Sequence, residues 1–287
     1  MATCLNSNAH QISQLFPFYV TVFQESSPRC VGTLITLSKI VTAARCCQYR
    51  ETLSSALVRE DLDMKKAVAV VGLTDEMKIA NFTQVSRMKD VKIHSRFEMK
   101  ADAFSSYDIA TVKLVKPFQS TKAVRPMTIV SEDPNLFQRS WETQVSPKQC
   151  VSMAPMHGRF RIIALSPWSK TNCNQMKRRN TESDEICLSL RNLFDKSALK
   201  FGSPLVCEGF IFGFYQGCYR FPILSFTSFH NYIDFLDLHE KVVKTPDRNP
   251  SKKFKSNKDT QSNGYLFRSP HFLIGILLFA ISFRNNG

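Results

Sequence analysis

The chain has 287 residues, 43% of them hydrophobic and 22% charged, proportions that exclude a chain disordered or low in complexity throughout. Lys and Arg number 38 against 24 Asp and Glu, a formal charge of +14 that favours acidic partners without naming one. Nine cysteines are too few for a small disulfide scaffold but are spread as long-range pairs would be, and the odd count leaves at least one outside any internal pair.

Residues 1–16 form an N-terminal segment with neither a basic start nor an apolar run of 7 to 15 residues, so no secretory signal is legible there. From residue 17 to about 240 short apolar runs recur at strand length, among them Phe18 to Phe23, Leu34 to Thr42, Ala67 to Leu73 and Ile109 to Val115. Pro, Ser, Asn and Asp punctuate them, which predicts an all-β barrel or sandwich. Phe229, Ile233, Leu236 and Glu240 follow a three-to-four step, which predicts one C-terminal helix over 228–243. Residues 244–264 are rich in Lys, Asn, Ser and Asp and read as a basic, disordered linker. The last segment, 265–287, contains the apolar run Phe272 to Phe283 and reads as a hydrophobic tail.

That tail is short for a bilayer span of roughly 18 to 20 residues. Seven Lys or Arg against two Asp between Lys241 and Gly264 would also place the flank of a spanning helix in the cytosol, together with a body whose disulfides need an oxidising compartment. A glycolipid-anchor signal avoids that conflict: Ser262, Asn263 and Gly264 suit the attachment site and Phe272 to Phe283 suits the removable tail. Membrane attachment is expected, the anchor ahead of a helix. Asn81-Phe-Thr83 is the only N-x-S/T acceptor in the chain, so Asn81 is the expected glycan site. No metal is expected, since only Cys46 and Cys47 are close neighbours and adjacent cysteines chelate one ion poorly; no cofactor motif is present either.

Five segments carry a resemblance. Cys30-Val-Gly-Thr-Leu-Ile and Val41-Thr-Ala-Ala-Arg-Cys46 resemble the CGGxLI and VLTAAHC segments of trypsin-like serine proteases. Tyr107-Asp-Ile-Ala-Thr-Val-Lys-Leu114 is similar to their DIALLKL strand, Gly202-Ser-Pro-Leu-Val-Cys207 to the end of GDSGGPLVC, and Phe226-Thr-Ser-Phe-His-Asn-Tyr-Ile to the approach to the last helix. The resemblance implies two six-stranded antiparallel β-barrels, about 17–122 and 123–228, within a homologue domain over 17–243. It also implies three disulfides: Cys30 with Cys46, Cys150 with Cys207, and Cys173 with Cys187. Cys4, Cys47 and Cys218 stay unassigned.

Carried over residue by residue, the catalytic triad falls on Arg45, Asp108 and Phe201. Acyl transfer needs a hydroxyl nucleophile, an imidazole base and a carboxylate to orient it. Arg45 stays protonated and cannot serve as base, Phe201 offers no nucleophilic atom, and Asp108 has no imidazole to hold. Lys200 occupies the position of the aspartate that pairs with a processed N-terminus, Leu199 that of the oxyanion-hole glycine, and Tyr215 that of a pocket-lining glycine. Asp195 matches the aspartate of trypsin's basic-residue pocket and reads as a vestige.

Ser203 and Ser197 lie off the nucleophile turn. His94 reads as a surface or packing residue, and His157, His230 and His239 carry no neighbouring signal. The expected function is therefore an inactive serine protease homologue in the secretory pathway or at the cell surface, binding or regulating a protein partner such as a protease or its substrate. The alternative is a hydrolase with a non-standard residue set. An anionic glycan or lipid surface is a further candidate partner, with Lys177 to Arg179 and Lys252 to Lys258 as its carriers; nucleic acid is not expected.

Overall fold

The computed structural model describes residues 13–53, 56–74, 79–98, 106–142, 150–156, 159–177, 185–191, 199–220 and 222–238. The linker, the hydrophobic tail, Cys4, Ser197 and Asp195 lie outside these residues.

Six strands close the first barrel: β1 (Tyr19–Gln24), β2 (Ser27–Thr36), β3 (Lys39–Thr42), β6 (Ala67–Val71), β7 (Gln84–Ile93) and β8 (Ala110–Leu114). Their order around the barrel is β1-β2-β3-β8-β7-β6, every pairing antiparallel. Between β3 and β6 the chain makes a short helix α1 (Ala44–Cys47) and a separate hairpin, β4 (Gln48–Leu53) with β5 (Ala56–Asp61). The inward residues are β-branched or aliphatic: Val20, Val31, Leu34, Ile40, Val41 and Val112 expose nothing to solvent. Such side chains suit a pleated, buried surface.

The run Leu34 to Thr42, read as one apolar stretch, is in fact the end of β2 and all of β3. Thr36 pairs with Lys39 across a two-residue turn at Leu37-Ser38, and the Ser38 amide donates to Thr36 Oγ1 at 3.3 Å. A local hydroxyl bond of this kind competes with strand continuation, and a period-two hydropathy scan does not see it.

The second barrel is built from β9 (Cys150–Met156), β10 (Arg159–Pro167), β11 (Glu185–Leu190), β12 (Pro204–Cys207), β13 (Phe210–Arg220) and β14 (Ile223–Ser228). Its order is β10-β11-β14-β13-β12-β9. Cys150 and Cys207 lie directly opposite each other where β9 meets β12, and their disulfide staples that seam with Cα atoms 4.3 Å apart. Cys30–Cys46 (Cα–Cα 5.8 Å) and Cys173–Cys187 (6.0 Å) also form, as the resemblance implies. Cys187 lies on β11, and Cys173 lies on the helix α3 (Lys170–Lys177) that precedes it.

In chain order α2 (Pro134–Ser140) comes between the strands of the two barrels. Asp133 caps it by accepting the Asn135 and Leu136 amides, and Pro134 pre-sets its first turn. Buried Phe137 then packs edge-on to Phe212 of β13, centroids 5.2 Å apart. Main-chain bonds link the two barrels: Val31 donates to Phe201 O at 3.1 Å, and Ile211 donates to Thr128 O at 3.3 Å.

A C-terminal helix is present; of the 228–243 expected for it, residues 239–243 lie outside the described residues. Ser228 still belongs to β14, His230–Tyr232 form a 3-10 turn, and α4 covers Ile233–Leu236. Phe229, Ile233 and Leu236 do point inward as the spacing predicts. Asp237 ends the helix because its backbone is left-handed, φ 45°. Lys39 Nζ holds that end by donating to Leu236 O at 3.3 Å and to both the main chain and the carboxylate of Asp237.

Candidate functional site

Three segments distant in sequence bring Arg45, Asp108 and Phe201 together. Arg45 lies on α1, tied down beside the Cys30–Cys46 disulfide. Asp108 leads into β8 and is fully buried. Tyr107 before it has a left-handed backbone at φ 59°, a conformation that costs a non-glycine residue about 1–2 kcal/mol. Its ring is held in place, stacked on His94 at 4.9 Å and bonded through its hydroxyl to Arg96 Nη1 at 3.1 Å. His94 also meets Phe235 at 5.2 Å and Tyr232 at 5.5 Å, which is a packing role.

Phe201 sits at a turn that only glycine permits. Gly202 has φ +85°, and a Cβ there would stand 1.8 Å from Val31 O and 2.7 Å from Thr42 Oγ1. Thr42 Oγ1 itself donates to Val31 O at 2.6 Å. Ser203, which follows, is fully buried; its amide donates to Lys200 O at 2.9 Å and its Oγ accepts the Lys200 amide at 3.2 Å, so its hydroxyl serves the turn.

At the centre, Asp108 accepts the Arg45 amide on Oδ1 at 2.9 Å and Arg45 Nε on Oδ2 at 2.5 Å, with the Ala44 amide as a further donor. The Arg45 side chain keeps 11% of its surface exposed and that of Asp108 none. The guanidinium lies over the Phe201 ring, 4.7 Å from its centroid, an arrangement worth about 0.5–2 kcal/mol. Phe201 in turn stacks on Tyr215, centroids 6.2 Å apart and planes 16° from parallel, and Tyr215 meets Phe226 edge-on at 5.6 Å. Carboxylate, guanidinium and two aromatic rings thus form one continuous column, with Phe201 at its exposed rim.

The electrostatics follow from burial. Desolvation pushes the Asp108 carboxyl up, while the Arg45 guanidinium and the amides of Arg45 and Ala44 pull it back. The Tyr215 hydroxyl is pushed up to about 12, first by burial and then by Cys218, against the pull of Arg45. Cys47, buried and unpaired behind Arg45, is likewise pushed up to about 12 by burial and by Asp108. A thiol held neutral in this way is not a nucleophile. Among the described residues, no group of three or more His, Cys, Asp or Glu side chains could hold a metal.

Sequence reasoning finds the four members of the column but not their mutual packing. The column joins a helix, two turns and a strand that are distant in sequence, and no local spacing encodes it.

The trypsin family model matches residues 6–218. The chain belongs to the trypsin family. Among curated proteins it is similar to the inactive serine protease scarface of Drosophila melanogaster, 22% identical over 67% of this chain and 26% of that protein. It is also similar to serine protease VLSP-3 of Macrovipera lebetinus, 23% identical over 68% of this chain and 69% of that one. The match thus spans about a quarter of the length of scarface. Among solved structures, neuropsin, a serine protease expressed in the limbic system of mouse brain, superposes with a TM-score of 0.61 at 17% identity, covering 78% of this chain and 95% of its own. Kallikrein-related peptidase 10 superposes at 0.58, also at 17% identity and with the same coverage. These two likenesses concern the fold.

Proposed function

We propose that this trypsin-family chain is a catalytically inactive homologue that works by binding or regulating another protein in the secretory pathway or at the cell surface. The carrying observation is the column at the triad positions. Asp108, which in the family orients an imidazole, holds a permanently charged guanidinium, and the nucleophile's place is taken by a ring on which that guanidinium lies. A protonated arginine takes no proton from an attacking hydroxyl, and the nearby Ser203 hydroxyl is occupied in its own turn. Removing base and nucleophile together abolishes acyl transfer, because triad members act as a unit.

The similarity to an inactive protease homologue supports this reading, and the partner it implies is a protein, a protease or protease substrate being the natural class. Three disulfides support folding in an oxidising compartment. Asn81 is exposed in a turn before β7, where a glycan has room. The reading further assigns residues 265–287 to membrane attachment by a glycolipid anchor.

The test is labelling with a fluorophosphonate, which reports any activated serine. No serine of the purified protein is labelled under conditions where trypsin is labelled fully; a labelled serine overturns the proposal. On expressing cells, loss of mass with glycosidase checks Asn81, and release by a phosphatidylinositol-specific phospholipase checks the anchor.

A further inference from the structure

Outside the column at Arg45, one outer face of the first barrel carries a row of exposed basic side chains. Lys39, Lys113 and Asp90 sit directly opposite one another across β3, β8 and β7, and so share a face. Together with Lys92, Phe235 and Asp237 they line a cavity of about 280 Å³. Like charges placed opposite on neighbouring strands are destabilising. Lys39 and Lys113 are nevertheless so placed, and Lys39 is 2% exposed. Two carboxylates face the three lysines: Asp90 lies opposite Lys113, and Asp237 is bonded by Lys39, which with Lys113 and Lys92 holds it below the usual carboxylate range. Lys92 is braced over the Phe235 ring at 4.9 Å, so its ammonium is positioned at the cavity rather than swept through solvent.

The face continues beyond the cavity. Arg87, Lys89 and Lys92 on β7, Lys113 on β8 and Lys116 just after it are all exposed, against Asp90 as the only acidic residue of the two strands. A register shift between Met88 and Asp90 turns Lys89 outward beside its neighbour. From Arg87 to Lys92 the row extends about 17 Å at roughly 3.4 Å per residue. This is a narrow, linear basic track ending in a pocket with two exposed lysines and an aromatic edge.

We propose that the β7–β8 face is a docking track for a sulfated glycan chain, one anionic group entering the cavity between Lys92 and Lys113 and the rest of the chain following Arg87 and Lys89. The track is a line of charge two strands wide, which matches a linear polyanion. The choice of a sulfated glycan among polyanions rests on the extracellular reading above, whereas the binding itself does not. Lys177 to Arg179 are not needed for it: Lys177 ends α3, and Arg178 and Arg179 lie outside the described residues.

The experiment is elution of the purified full chain from immobilised heparin, with Lys92→Ala/Lys113→Ala compared against the charge-matched Lys65→Ala/Lys122→Ala, whose exposed lysines lie off the track. The wild type is retained at physiological salt. The track variant elutes at clearly lower salt, its dependence of log affinity on log salt falling by about two, one counterion per lysine; the control variant stays close to wild type. Thermal melting of both variants verifies the fold, and both retain the basic linker. Equal elution of the two variants, passage of the wild type at physiological salt, or tighter binding to phosphatidylserine vesicles than to heparin overturns the proposal. Fluorophosphonate labelling bears on catalysis alone, so the two readings fail separately.

Discussion

The turn at Gly202 and the column at Arg45 lie side by side, yet different physics holds each. Gly202 is fixed by main-chain geometry: its φ of +85° and its contact with Val31 O leave no room for a side chain. The column is fixed by side-chain charge and ring stacking, Arg45 on Asp108 and over Phe201. On the proposed reading, main-chain geometry is kept at this turn while side chains that pack stand where the family's reacting groups would be. A fold can keep the backbone of an active site for architectural reasons alone, since the Val31 to Phe201 bond also joins the barrels.

Breaking the frame should cost most. Gly202→Ala is expected to lose on the order of 4 kcal/mol in urea unfolding, because the left-handed φ and the contact with Val31 O act together. Gly209 sharpens the point: its φ is +83°, but a Cβ there meets nothing within 4 Å, so Gly209→Ala should lose only about 1–2 kcal/mol. Equal losses at the two glycines would show that the contact with Val31 is relieved cheaply.

Breaking the column should cost less than breaking the frame and should carry a pH signature. Arg45→Ala leaves Asp108 buried with main-chain donors only, for a loss of about 3 kcal/mol near neutral pH. Burial already pushes this carboxyl up, and without the guanidinium it moves further up. An acid whose folded-state pKa is raised binds more protons folded than unfolded, so its contribution to stability falls as pH rises through the unfolded value near 3.9. The deficit of the variant relative to wild type should accordingly shrink as the buffer is made acidic. A deficit independent of pH would mean that Arg45 acts through packing alone.

Much of this was legible in the sequence, and the exceptions have physical causes. The strands follow from periodicity, whereas the three disulfides, which form, and the triad-equivalent positions are what the resemblance to trypsin-like proteases implies. The split at Leu37-Ser38 was not legible, because a hydroxyl-to-amide bond decides it. Nor was the end of α4 at Leu236, where Lys39, nearly two hundred residues away in sequence, ties the helix end and Asp237 turns left-handed. The column and the cavity at Phe235 share that difficulty: each gathers side chains from distant segments, and local spacing holds no record of them.

On the proposed function, catalysis is absent from the whole site and not only from two side chains. This absence is tested most directly by hydrolysis of a small arginine ester with the wild type and with Arg45→His/Phe201→Ser, each first shown to be folded by its melting curve. Lys200, Leu199 and Tyr215 remain in the revertant, and Tyr215 still stands beside the restored serine. No turnover above the buffer blank is expected from either protein. Turnover by the wild type, or by the revertant once imidazole and hydroxyl are restored, would contradict that reading.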